Sequence, residues 1–386
     1  MIISIILIAS SILALIFAFY LAIFAWAGRR YQTPSLTSKK EFKKIAVVIP
    51  AYREDQVILR SVLSVTTQDY PKSHFDVFVV ADGLQMPTIK ELANVGACVI
   101  PVSFKNSTKV KALKAFVASE SGSNFDAVTI LDADNIMDSL FLERTNQALC
   151  QGFRVIQGVR KPKNSESIFA RLDAVTEDIN TTIFRKGHQV LGLPSALTGS
   201  GMTFSCALFE SLLVNATAVG GFDKEMELSL TKANESILFD DAAIVYDEKV
   251  HSSNDLTRQR SRWMGAQWHY AATHLSPAWT SIKTQSNGAY LDKVFQMVMP
   301  PRILLLTGQV LAVPLAILTS SFIAAILFST SLFLTLFALI YSISEKNNFR
   351  SFVDVFRAPI VLAAYFKGFA KSFKANRRFV HTQHKS

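Results

Sequence analysis

The residues most able to do chemistry sit at the ends of short apolar runs. "VTILDADN", residues 128–135, leads apolar and β-branched residues into two aspartates, Asp132 and Asp134. On an extended backbone alternate side chains share a face, so the two carboxylates would point the same way and repel unless a cation lay between them. A plain turn accounts for the tripeptide equally well, because Asp and Asn are common turn residues. The sharper reading is a divalent-metal site that holds a phosphorylated substrate.

Other stretches repeat this placement. "PAYRE" (50–54) follows the run "IAVVI", and "ADG" (81–83) follows "FDVFVV". "KVKALK" (109–114) brings three lysines ahead of the paired aspartates, although a solvated helix face would look the same. In "RQRSRW" (258–263), Gln259 and Arg262 are three apart and share a face if the segment is helical. The planar donors of Arg262 suit a phosphate, and Trp263 offers an apolar plane to a sugar ring. The plainer alternative is a juxtamembrane anchor.

These positions imply a scaffold. "IAVVI" (45–49), "FDVFVV" (75–80), "CVIPV" (98–102), "AVTIL" (127–131) and "RVIQGV" (154–159) predict strands, and the stretches between the first four carry apolar residues at helical spacing. The alternation predicts an α/β fold with a mostly parallel sheet, in which ligands bind beyond the carboxyl ends of the strands. The segment 165–186 reads as one long helix, and "LTGSGMTFS" (197–205) as a glycine-bearing loop beside it. No Gly-x-Gly-x-x-Gly follows a strand and no Gly-x-x-x-x-Gly-Lys occurs, so the usual dinucleotide and ATP-hydrolysing signatures are missing.

Half of the 386 residues are hydrophobic, and the mean hydropathy of +0.27 points to a membrane component. Residues 1–27 are uncharged and followed by Arg29, Arg30, Lys39 and Lys40. This predicts an uncleaved transmembrane helix over 1–28, with the next domain in the cytoplasm at an inner or plasma membrane. Residues 303–344 again lack charge and predict a transmembrane hairpin turning at Thr319-Ser320-Ser321. An interfacial segment is expected over 276–302 and a basic amphipathic tail over 351–386. The net charge of +10 borders the apolar segments, where anionic lipid explains it better than nucleic acid does. Cys98, Cys150 and Cys206 have no metal-type spacing and read as buried packing residues. His188 reads as structural, and His381 and His384 as tail residues.

Taken in order, "VVIPAYRED", "VVADG", "KVKALK", "LDADN", "LTGSGM", "GGFDKEMELSL", "VYDEKV" and "RQRSRW" resemble the markers of membrane-bound family 2 glycosyltransferases. "QRSRW" is similar to the Gln-x-x-Arg-Trp element of cellulose, chitin and hyaluronan synthases and of ceramide glucosyltransferases. The resemblance spans roughly residues 44–270, within an expected catalytic domain over 44–275. It implies the GT-A fold of nucleotide-diphospho-sugar transferases and inverting transfer from a nucleotide-sugar donor, UDP-linked by expectation.

It also implies roles. Asp134 is the metal carboxylate, for Mg²⁺ or Mn²⁺, and Asp132 contacts the donor. Tyr52, Glu54 and Asp82 hold the nucleoside. Lys111 reaches the diphosphate, with Lys109 or Lys114 as substitutes. Gln259, Arg262 and Trp263 serve the acceptor and diphosphate. Members usually carry Thr-Glu-Asp where this chain has Lys224 and Glu225, so Glu225 becomes the expected base, with Glu227 and "FDD" (239–241) as competitors. The acceptor is a glycan or a lipid. Processive polysaccharide synthesis, with an export or polymerisation partner, stands beside single-sugar transfer to a lipid and beside an inactive nucleotide-sugar-binding homologue.

Overall fold

The computed structural model describes residues 2–37, 41–120, 124–250, 252–283, 287–343 and Lys367. Almost the whole tail predicted over 351–386, with His381 and His384, therefore lies outside the described residues.

The chain opens with helix α1 (Ile2–Gly28), then builds an α/β layer. Its elements are β1 (Ile45–Tyr52), α2 (Ile58–Thr66), β2 (Phe75–Asp82), α3 (Met86–Asn94), β3 (Cys98–Val102), α4 (Lys109–Ser119), β4 (Ala127–Ile130), β5 (Ile136–Met137), α5 (Phe141–Cys150) and β6 (Val155–Pro162). Helix α6 (Ile168–Asn180) widens into a π-helical stretch, Thr181–Gly187, and closes as α7 (His188–Val190). Then come β7 (Met202–Ser205), α8 (Cys206–Asn215), α9 (Phe222–Lys232), β8 (Leu238–Asp247), α10 (Ser253–Lys283), α11 (Gly288–Val298), α12 (Arg302–Leu318) and α13 (Phe322–Ser342).

The strands form one sheet in the order β3-β2-β1-β4-β7-β6-β8-β5. The pairs β1/β2, β1/β4, β2/β3 and β6/β8 are parallel, whereas β7 runs antiparallel to both β4 and β6. The β-branched runs of β1 and β2 are continuous because both faces are covered. Ala46, Val48, Phe78 and Val80 face α4, α8 and α9, while Val47, Ile49, Val77 and Val79 face α2, α3 and α5.

Three expectations change. The second half of "LTGSGMTFS" is strand β7 in the middle of the sheet rather than loop. Its glycines masked a four-residue strand whose Thr203 is satisfied only across the sheet, by Thr129 at 2.8 Å. Asp132 and Asp134 are not on extended backbone: β4 ends at Ile130, and the N–H of Asn135 donates to the Asp132 carbonyl at 3.1 Å, closing a turn. None of the three cysteines is fully buried, and Cys98 is exposed because β3 is the edge strand.

Helices α1 and α13 are each long and apolar enough to cross a bilayer. α12 has 17 residues and joins α11 across a bend of 62°. The turn between α12 and α13 falls at 319–321 as expected, with Ser320 at φ 56° and the Ser321 N–H donating to the Ala316 carbonyl at 2.8 Å. α1 packs on α12, α13 and the α6 region through Phe17, Leu21, Phe24, Ile183 and Phe328. The contact is close enough that a side chain at Gly28 would strike the Thr182 carbonyl. The π-helical stretch is thereby clamped between the apolar helices and the sheet domain.

Candidate active site

A cavity of about 1290 Å³ begins at the carboxyl ends of β1, β2 and β4 and reaches the apolar helices. At its sheet end, Tyr52 and Asp82 are register partners on adjacent parallel strands, so the ladder itself brings them side by side. Asp82 is 6% exposed; its Oδ1 accepts the Phe104 N–H at 3.4 Å, and its Oδ2 is buried without a hydrogen-bond partner. An orphaned carboxylate oxygen facing a cavity is a vacancy for a donor, such as a nucleoside hydroxyl or ring N–H. Arg53, at φ 56°, donates its N–H to the Asp82 carbonyl and bends the chain, leaving Glu54 on the cavity wall. Asp55 does not serve a helix dipole; its Oδ1 accepts the Gln85 N–H at 2.8 Å.

The turn after β4 is held from the glycine loop. Ser200 Oγ accepts both the Asp132 N–H at 3.0 Å and the Asn135 side-chain amide at 2.8 Å. Gly201, at φ 61°, would bring a side chain to 3.0 Å from Val245, so this approach is reserved for glycine. Lys109 binds Asp132 and the Gly199 carbonyl, and lines the cavity. Lys111 does not line it: its ammonium donates to the Asn106 carbonyl at 2.8 Å. The lysine beside Asp132 is therefore Lys109. Asp134 also lines the cavity, and its carbonyl accepts Lys163 at 2.9 Å.

Helix α9 departs further from expectation. Glu225 is not among the cavity residues. Its Oε1 accepts the Thr217 N–H at 2.9 Å and its Oε2 the Ala218 N–H at 3.1 Å, so the carboxylate ties down the preceding loop. Asp223 and Glu227 line the cavity in its place. The two are four residues apart and share a helix face, whereas Glu225 lies about 200° round from Asp223. Glu227 accepts the Leu197 N–H at 2.6 Å, and its other oxygen is 3.9 Å from the fully buried Lys293 ammonium. Burial raises the Glu227 carboxyl against the pull of Lys293. The competitors at 239–241 are structural, Asp240 paired with Arg144 at 2.9 Å and Asp241 with Lys186 at 2.8 Å.

On α10, Gln259, Arg262 and Trp263 all line the cavity. Gln259 Oε1 is buried without a hydrogen-bond partner. Burial lowers the Arg262 pKa, and the Asp132 carboxylate acts against that shift, which places its charge within reach of the guanidinium. Between the motif residues, Arg260 lies 4.4 Å over the Trp263 ring and pairs with Asp173 of α6 at 2.5 Å. A second buried group joins Arg160 of β6 and Arg185 of the π-helical stretch to Glu177, each at 2.9 Å. Burial would raise the Glu177 carboxyl, but the two arginines outweigh it and hold it well below the usual carboxylate range.

Lys109, Ser200, Asp223 and these ion pairs were not singled out as site residues in the sequence. Only the spacing from Asp223 to Glu227, and of Lys109 behind its N-cap Thr108, carried a signal. His188 is structural as expected, fully buried against Tyr20, Asp292 and Gln296.

Among the described residues no group of three His, Cys, Asp or Glu side chains is placed to hold a metal by itself. The sheet end fits a hard cation nonetheless, since Mg²⁺ and Mn²⁺ sites that serve nucleotides need only one or two carboxylates, with phosphate oxygens and water completing the shell. Asp134 and Asp132 are those carboxylates.

The chain has no match among curated proteins. Of solved structures, a mannosyltransferase from Pyrobaculum calidifontis, in complex with GDP-mannose and Mn²⁺, is similar over 95% of this chain and 98% of its own, with TM-score 0.58 and 14% identity. That likeness shows a shared fold. TarS 1–349 of S. aureus (86% and 90% covered, TM-score 0.42, 16% identity) and glucosyl-3-phosphoglycerate synthase of Mycobacterium tuberculosis with Mn²⁺ and UDP (54% and 72%, 0.36, 18%) align too loosely to bear on the site. Residues 43–266, more than half of the chain, match the family described as Glycosyltransferase like family 2, and the protein belongs to that family.

Proposed function

We propose that the protein transfers a sugar, with inversion, from a nucleotide-sugar donor to an acceptor held at the membrane face of the domain. The donor is UDP-linked in this reading, and the domain lies on the cytoplasmic side of an inner or plasma membrane. The observation that carries it is the single cavity that gathers Tyr52, Asp82, Asp132 and Asp134 from three strand ends and Gln259, Arg262 and Trp263 from α10. Asp82 and Tyr52 take the nucleoside, and Asp132 the donor sugar. Asp134 holds Mg²⁺ or Mn²⁺, which offsets charge on the departing diphosphate. Arg262 adds a fixed positive charge where that diphosphate charge develops, a preorganised arrangement that water does not match.

Glu225, its carboxylate committed to residues 217–218, is not the base in this reading. For a hydroxyl acceptor that task falls to Asp223, on the cavity face of the first turn of α9.

The test is a screen of purified full-length protein in detergent with labelled UDP- and GDP-sugars and either cation. Metal-dependent donor turnover supports the proposal. Nucleotide binding without turnover by any donor would instead mark a binding homologue.

A further inference from the structure

We infer, resting on the glycosyltransferase reading, that the acceptor is a lipid with a phosphate head group, its apolar tail lying along α12 and α13. Three observations converge on it. The first is continuity. Beyond the strand ends the cavity runs between Ile303 and Leu306 of α12 and Leu336, Leu339 and Ile340 of α13. α13 is long enough to span a bilayer and exposes Phe333, Leu336 and Ile340 on its outer surface. At about 1290 Å³ the cavity also exceeds the roughly 300–1,000 Å³ of a site for one small ligand, leaving room for a donor and a second molecule. A soluble glycan would gain nothing from aliphatic walls, whereas an alkyl chain gains about 0.8 kcal/mol per buried methylene.

The second observation is charge. Where polar cavity meets apolar cavity stand Arg29, 5.5 Å over the Tyr341 ring, and Arg302, which donates to Asn180 at 2.8 Å. Among the described residues no carboxylate lining the cavity comes from α1, α11, α12 or α13. The acids nearest this end on α6, Asp173 and Glu177, are paired with Arg260 and with Arg160 and Arg185. The boundary is therefore a cationic ring suited to a phosphate at the depth of lipid head groups.

The third is the committed carboxylate of Glu225. A hydroxyl acceptor must lose a proton as it attacks, but a phosphate monoester, with a second pKa of about 6, arrives already ionised. One of its oxygens supplies the electron pair for the new bond to the anomeric carbon. The bond from that carbon to the nucleoside diphosphate breaks, with its electron pair leaving on the diphosphate. No proton changes hands, and the products are a glycosyl phospholipid and the free nucleoside diphosphate.

The test offers the purified full chain, with labelled donor and Mn²⁺, three acceptors in detergent: a long-chain branched alkyl monophosphate, its parent alcohol, and dioleoylglycerol. Donor affinity is measured separately as UDP binding by calorimetry. The expected result is organic-extractable label with the alkyl phosphate alone, retained in Glu225→Gln. Arg302→Ala and Arg29→Ala should each raise KM for the alkyl phosphate about tenfold, the worth of one charge-assisted contact, with UDP affinity unchanged. Arg302→Lys should recover part of the loss, which a folding defect would not allow. Transfer to the alcohol, to dioleoylglycerol or to a water-soluble product in preference to the phosphate would overturn the inference while leaving the glycosyltransferase reading intact. Failure to bind UDP or turn over any donor would overturn both.

Discussion

The two ends of the cavity are built by different means. At the sheet end, Tyr52, Asp82 and the turn bearing Asp132 follow neighbouring parallel strands, so backbone hydrogen bonds set their spacing before any side chain packs. At the helical end, the residues come from α6, the π-helical stretch, α10, α12 and α13, and buried ion pairs hold them together. A ladder tolerates change in individual side chains. An ion network in a nonpolar setting does not, because one missing partner strands a buried charge.

That contrast can be broken most directly at Arg260→Met. Asp173 would lose its guanidinium, and Trp263 the cation over its ring; a stability loss of about 3–5 kcal/mol is expected, read as a lowered thermal midpoint in detergent. Adding Asp173→Leu should recover much of it, and a double variant no more stable than the single one would show that the pair is not what holds α10 to α6. At the sheet end, Asp134→Ala should leave the thermal midpoint nearly unchanged yet reduce transfer about 100-fold or more and abolish the metal dependence of UDP binding. Lys109→Ala should lower kcat about tenfold by releasing Asp132, with a smaller effect on nucleotide affinity. Lys111→Ala, two residues on, should change kcat by less than about twofold, since its ammonium binds the Asn106 carbonyl outside the cavity. Equal losses at Lys109 and Lys111 would mean that α4 presents both to the donor.

The pair Lys109 and Lys111 shows how far a sequence carries such a reading. β-branched runs announced β1 to β4 and β6 within a few residues, because strand formation there follows local composition between two covered faces. The strand-end acids were legible for the same reason. Motif counting then selected Lys111 on α4 and Glu225 on α9, and in each case the cavity residue lies two positions earlier. Two residues along a helix is about 200° of rotation, so a choice within that interval reverses the face. Strand β7 was hidden because its pairing partners are β4 and β6, distant in sequence, and its own four residues follow a glycine-rich loop.

What the chain determines by itself is what neighbouring residues can settle: the strand runs, the carboxylates after them, the order of motifs ending in Gln259, Arg262 and Trp263, and the uncharged helices at 2–28 and 322–342. Only the tertiary structure decided which lysine meets Asp132, which acids of α9 face the cavity, and that the donor site opens toward α12 and α13. Those outcomes depend on helix phase and on contacts between segments a hundred or more residues apart, such as Asn180 with Arg302 and Thr182 with the Ser342 carbonyl. Such contacts exist only once the sheet and the apolar helices have packed against one another.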